Sequence, residues 1–124
     1  MPWTTADIPD LTGRTAVITG ANSGLGLESA NALARAGATV VMCARNPEKL
    51  AAAAADVLTS APDATVETVE IDLASQASVR AAASQIASSH PVIDILMNNA
   101  GVMALPQRET TDGFEMQLGV NHLG

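Results

Sequence analysis

The sequence predicts an α/β chain wound around a doubly wound parallel sheet, and three observations point to it. Short apolar runs of strand length alternate with helix-length segments in the order βαβαβαβ-α. The first run, Thr15-Ala16-Val17-Ile18, turns into a helix through three glycines, Gly20, Gly24 and Gly26. The polar residues able to do chemistry then recur just after each run, in the glycine turn, Cys43–Arg45, Asp72 and Asn98–Gly101. Right-handed crossovers make such strands parallel and leave a ligand crevice at their carboxyl ends.

Each element has its own signal. Residues 1–13 form a lead-in punctuated by Pro2, Pro9 and Gly13. Arg14–Thr19 is a first strand, uninterrupted and apolar as a strand buried on both faces must be. The helix Leu25–Ala36 turns Leu25, Ala30, Leu33 and Ala34 toward the sheet, and Gly37 ends it. Ala38–Cys43 is the second strand; Pro47 opens the alanine-rich helix Glu48–Leu58, which stops near Ser60 and Pro62. Thr65–Ile71 alternates apolar and polar residues, as a strand near a sheet edge does. Ser75 caps a helix to Ser89 with Val79, Ala82, Ala83 and Ile86 at helical spacing. After Pro91, Val92–Met97 is a fourth strand, Asn98–Arg108 a loop, and Thr111 to the end a helix carrying Phe114, Leu118 and Asn121. Residues 1–124 thus read as one continuous unit, without linker or repeat.

Composition narrows the function. The net charge of −7 argues against nucleic acid as a partner, yet permits a nucleotide whose phosphates rest on backbone amides and one or two placed cations. Cys43 is the single cysteine, so neither an internal disulfide nor a cysteine-rich metal site is available, and His90 and His122 lack partners at metal spacing. No run approaches the ~20 apolar residues of a membrane span, and the N-terminus lacks a basic region followed by an apolar one, so a cytoplasmic setting is expected.

The glycine turn, Thr19-Gly20-Ala21-Asn22-Ser23-Gly24-Leu25-Gly26, carries the strongest chemical signal. Gly20 allows the sharp turn, Gly24 lets a pyrophosphate approach the backbone, and Gly26 lets helix pack on strand while free N–H groups face the anion. An ordinary βα turn is the competing explanation. A site for NAD places an acid about 20 residues further on, at the end of the second strand. Here that place reads Met42-Cys43-Ala44-Arg45-Asn46, with an arginine and no acid. A guanidinium suits a ribose 2′-phosphate, so NADP is expected over NAD, with Arg45 as selector; a solvated loop arginine is the alternative.

These residues resemble the N-terminal half of the short-chain dehydrogenase/reductase family. The glycine turn matches its TGxxxGxG pattern, Asp72-Leu73 its acidic residue after the third strand, and Asn98-Asn99-Ala100-Gly101 its NNAG motif; Asn121 falls at the asparagine of its catalytic tetrad. The resemblance covers residues 12–124 and implies a Rossmann-type sheet truncated after the fourth strand and part of the next helix. It implies that Gly20, Asn22, Ser23, Gly24, Leu25 and Gly26 cradle the dinucleotide and that Asp72 accepts from the adenine amine, with the Leu73 backbone beside it. Asn98, Ala100 and Gly101 then line the nucleotide site, and Asn121 anchors a proton-relay water. A turn cap at Asp72 and a buried polar residue at a helix kink at Asn121 are their structural alternatives.

The implied reaction is hydride transfer between a nicotinamide and an alcohol or carbonyl carbon, with a tyrosine as acid/base. The chain has no tyrosine, and the family's serine and Tyr-x-x-x-Lys pair lie beyond residue 124, so the chain is expected to be a cofactor-binding half that is inactive alone. Asn22-Ser23-Gly24-Leu25-Gly26, Cys43-Ala44-Arg45-Asn46 and Asn121-His122-Leu123-Gly124 are most similar to the retinol-dehydrogenase-like branch, implying apolar alcohol, aldehyde or ketone substrates and a homo-oligomeric full-length protein. A non-catalytic dinucleotide-binding module is the alternative. A nucleotide-sugar epimerase is disfavoured, because its GxxGxxG spacing differs.

Overall fold

A computed structural model describes residues 2–124. Four strands, β1 (Thr15–Thr19), β2 (Thr39–Ala44), β3 (Val66–Glu70) and β4 (Ile95–Met97), form one parallel sheet in the order β3-β2-β1-β4. The order reverses at β1, so the chain winds outward in both directions, and the glycine turn sits at that switch point. Helices α1 (Gly24–Arg35), α2 (Pro47–Ser60) and α3 (Gln76–Ser89) are the crossovers.

Alternation along the strands divides the core in two. Ile18, Val40, Met42 and Ala44 meet Ala30 and Ala34 of α1 and Leu50, Ala53 and Val57 of α2. Val17, Val41, Cys43 and Val69 point to the other face, against Ala82 and Ile86 of α3. Alanines on α1 and α2 let those helices approach the sheet closely. Caps set the helix ends: Asn46 Oδ1 accepts from the N–H groups of Glu48 and Lys49, and Ser75 Oγ from Ser78. Gly37, at φ +100°, ends α1 in a conformation that L side chains rarely adopt.

The structure corrects the sequence reading in several places. Leu25 is 80% exposed, because α1 begins at Gly24 with its first turn projecting beyond the sheet; Gly26 takes the inward place instead. Ala83 is likewise exposed. The fourth strand is only Ile95–Met97: Asp94 N–H still donates to the Thr15 carbonyl (3.0 Å), but the Asp94 carboxylate takes the Thr15 N–H (2.8 Å) that a longer strand would use, and accepts from Arg14 Nη1 (3.2 Å) as well. Thr111–Glu115 is not helix. Gly113, at φ +84°, closes a turn bridged at Glu109 and Glu115, and the Glu115 carboxylate then caps α4 (Met116–Leu118). From Gly119 to Leu123 the chain continues as a π-helical turn. No helix among the described residues is long and apolar enough to cross a membrane.

Candidate dinucleotide site

A crevice of about 600 Å³ opens at the carboxyl ends of the strands. Residues from all four sequence features line it: Gly20, Asn22 and Ser23 after β1; Arg45 after β2; Asp72 and Leu73 after β3; Ala100 and Gly101 after β4. Parallel pairing brings them together, since every strand of such a sheet ends on the same side.

The glycines divide the work. Gly20 adopts φ +65°, and a Cβ there would stand 3.0 Å from Ala100 Cα. A Cβ on Gly26 would run into the Gly20 carbonyl oxygen and come within 2.7 Å of Asn99 Nδ2, so this position admits no side chain without moving backbone. Gly24 is different: it holds φ +56°, with no protein atom within 4 Å of the missing Cβ. The fold therefore demands Gly26 by contact, Gly20 by contact and backbone conformation together, and Gly24 by backbone conformation alone. Ser23 is the N-cap of α1, yet its side chain makes no capping bond, and the first turn holds no acid. The leading N–H groups of a twelve-residue helix are left to a ligand or solvent.

Thr19 locks the two walls of the crevice, a role that the sequence reading missed. Only 8% exposed, its hydroxyl accepts from the N–H groups of Asn99 (3.1 Å) and Ala100 (3.0 Å). Asn99 Nδ2 returns two bonds, to the Thr19 carbonyl (3.2 Å) and the Gly20 carbonyl (3.4 Å). Its neighbour Asn98 is exposed and does not line the crevice, because adjacent residues on an extended chain face opposite ways.

Asp72 serves its own turn with one oxygen. Oδ1 accepts from Ala74 N–H at 2.9 Å, while Oδ2 has no hydrogen-bond partner among the described residues. The carboxylate is thus both a turn cap and an acceptor toward the crevice. Asn121 lies outside the lining and spends its whole amide on Val102: Oδ1 accepts from the Val102 N–H (2.8 Å) and Nδ2 donates to the Val102 carbonyl (2.7 Å). It fixes the loop after β4 from behind. Gly101 lies beneath this clamp, where a Cβ would come 3.4 Å from Asn121 Oδ1.

The crevice concentrates positive charge in an acidic chain. Arg45, Lys49 and Arg108 all line it, three of the six lysines and arginines, against one carboxylate, Asp72. Lys49 stands in the first turn of α2, which starts at Pro47 beside the end of β2. Arg108 gave no periodic or motif signal; only the turn at 109–115 folds it back over the site. Cys43 is buried at the end of β2, and burial pushes its thiol up to about 11, so it is no nucleophile at neutral pH.

Residues 14–124 match the family model described as short chain dehydrogenase. The chain is 46% identical over 112 residues to human retinol dehydrogenase 13, covering 90% of this chain and 34% of that protein. Its structure superposes with TM-score 0.85 on the crystal structure of an uncharacterized protein from Mycobacterium Paratuberculosis, at 48% identity, over 99% of this chain and 42% of that one. A metagenomic short-chain oxidoreductase solved in complex with NADP matches at TM-score 0.70 and 36% identity, over 75% of this chain and 41% of that chain. The chain thus spans about a third of the length of the curated relative it matches.

Proposed function

Because the chain belongs to the short-chain dehydrogenase family, a family of oxidoreductases, we propose that it is the cofactor-binding part of an NADP(H)-dependent alcohol or carbonyl oxidoreductase. The carrying observation is the end of β2, where Arg45 and Lys49 face the crevice and no carboxylate does. The residues fit the dinucleotide. The uncapped start of α1 offers N–H groups to the pyrophosphate, Gly20 and Gly26 let the turn pack closely on the loop after β4, and Asp72 Oδ2 is open to the adenine amine. When bound, the nicotinamide supplies or accepts the hydride. In this reading Arg45 and Lys49 hold the 2′-phosphate, Thr19 and Asn99 keep the turn and the β4 loop in register, and Asn121 positions that loop through Val102. The match to retinol dehydrogenase 13 supports an alcohol, aldehyde or ketone as substrate. In this reading that substrate is apolar, and the remaining catalytic groups come from the rest of a longer, homo-oligomeric protein.

Titration of the complete protein with both cofactors tests the reading. NADPH should bind more tightly than NADH, and Arg45→Ala should weaken NADPH by about 1–3 kcal/mol while hardly touching NADH. Equal losses for both would remove Arg45 as selector.

A further inference from the structure

Arg108 is the one crevice cation without a task in that reading. Its loop is held by backbone bonds: the Arg108 carbonyl accepts from Met116 N–H (2.9 Å), and Thr111 N–H donates to the Ala74 carbonyl (3.0 Å). The second bond ties this turn to the segment directly after Asp72. Two nearby acids, Asp112 and Glu115, are engaged elsewhere. Asp112 Oδ2 accepts from Gln76 N–H at 2.8 Å, and Glu115 accepts from Gln117 and Leu118 N–H at 2.9 and 3.1 Å. Among the described residues, Arg108 makes neither an ion pair nor a side-chain hydrogen bond, and its exposed guanidinium shares the crevice wall with Leu73, Val102, Leu105 and Val120.

We propose that Arg108 stacks its guanidinium on the adenine ring of the bound dinucleotide, a contact that rests on the dinucleotide reading above. The phosphates already have partners in the start of α1, Arg45 and Lys49. The crevice wall that Arg108 shares includes Leu73, Val102, Leu105 and Val120, and such apolar side chains suit the face of a ring better than a hydrated phosphate. Arginine is the cation for such a place, being flat and weakly hydrated, so that it covers a π-face while its edge stays in water. Asp72 would then read the edge of the ring that Arg108 covers. The contact is indifferent to the 2′-phosphate, so it adds affinity for both cofactors and selects neither.

Calorimetric titration of the complete protein with NADPH, NADH, AMP and nicotinamide mononucleotide tests this. Arg108→Ala should weaken the first three by one common factor of about tenfold and leave the mononucleotide unchanged. Arg108→Lys should restore little, because it returns the charge without the plane. Full recovery by lysine, with a loss that shrinks as salt rises, would make Arg108 a phosphate ligand and overturn the stack. Unchanged cofactor affinity in Arg108→Ala, with a raised KM for the carbonyl substrate, would overturn it in favour of a substrate contact. Wild-type protein that binds none of the four would remove the dinucleotide reading itself, a different result from a wild type that binds and a variant that binds equally well.

Discussion

Replacing Thr19 by valine tests whether one hydroxyl holds the crevice together. The two side chains have nearly the same shape, so the substitution removes the hydroxyl as acceptor, together with its long donated bond to the Met97 carbonyl (3.5 Å), and little else. Two N–H groups, of Asn99 and Ala100, lose their partner in a site that is 8% exposed at Thr19. At roughly 1–1.5 kcal/mol for each unmet donor, less something under about 1 kcal/mol for the added methyl, the loss should be about 2 kcal/mol. Thr19→Ser keeps the hydroxyl and deletes a buried methyl, so it should cost about 1 kcal/mol or less. Urea unfolding followed by circular dichroism gives both values. Amide hydrogen exchange localises the effect, since Asn99 and Ala100 should lose protection in the valine variant and keep it in the serine variant. Cofactor affinity should fall with the valine variant too, because Ala100 packs against Gly20. A valine variant as stable as the serine variant, with both amides still protected, would refute the assignment.

Other substitutions separate fold from ligand. Gly26→Ala drives a Cβ into the Gly20 carbonyl and should destabilise the protein by about 3 kcal/mol, visible as a fall in Tm. Gly24→Ala meets open space and costs only the strain of φ +56°, about 1–2 kcal/mol, so any larger loss of NADPH affinity measures contact with the ligand itself. Asn121→Ala removes both bonds to Val102 and should loosen residues 101–105 in hydrogen exchange, with about 1–2 kcal/mol lost in urea unfolding. Cys43 should resist iodoacetamide at pH 8 in the folded protein and react once urea unfolds it. The folded thiol, at about 11 against an ordinary 9.0, holds its proton more tightly than the unfolded one. Its contribution, on the order of 2–3 kcal/mol, is therefore intact below pH 9 and lost as pH rises toward 11. Cys43→Ala should flatten that part of the stability profile.

Much of the site was legible because its parts are local. A glycine turn between an apolar run and a helix, an arginine where an acid would bind ribose, and Asp72 at a strand end are all statements about neighbours in sequence. The elements that went astray depend on distant partners. The fourth strand shortened because Asp94 bonds Thr15, far away in the chain. The last helix began late because Thr111 and Asp112 dock on Ala74 and Gln76. Leu25 looked like a core residue by spacing, but spacing does not say where the sheet ends.

By itself, then, the sequence determined the strand and helix order, the parallel winding, the glycine turn and the sign of the charge at the end of β2. Those follow from periodicity, backbone permissiveness and residue charge, which act over a few positions. Tertiary structure alone decided which asparagine faces the crevice, that Thr19 joins its walls, that Asn121 spends its amide on Val102, and that Lys49 and Arg108 join Arg45 around one cavity. Each of these pairs a group with another element of the fold, and only packing sets such distances.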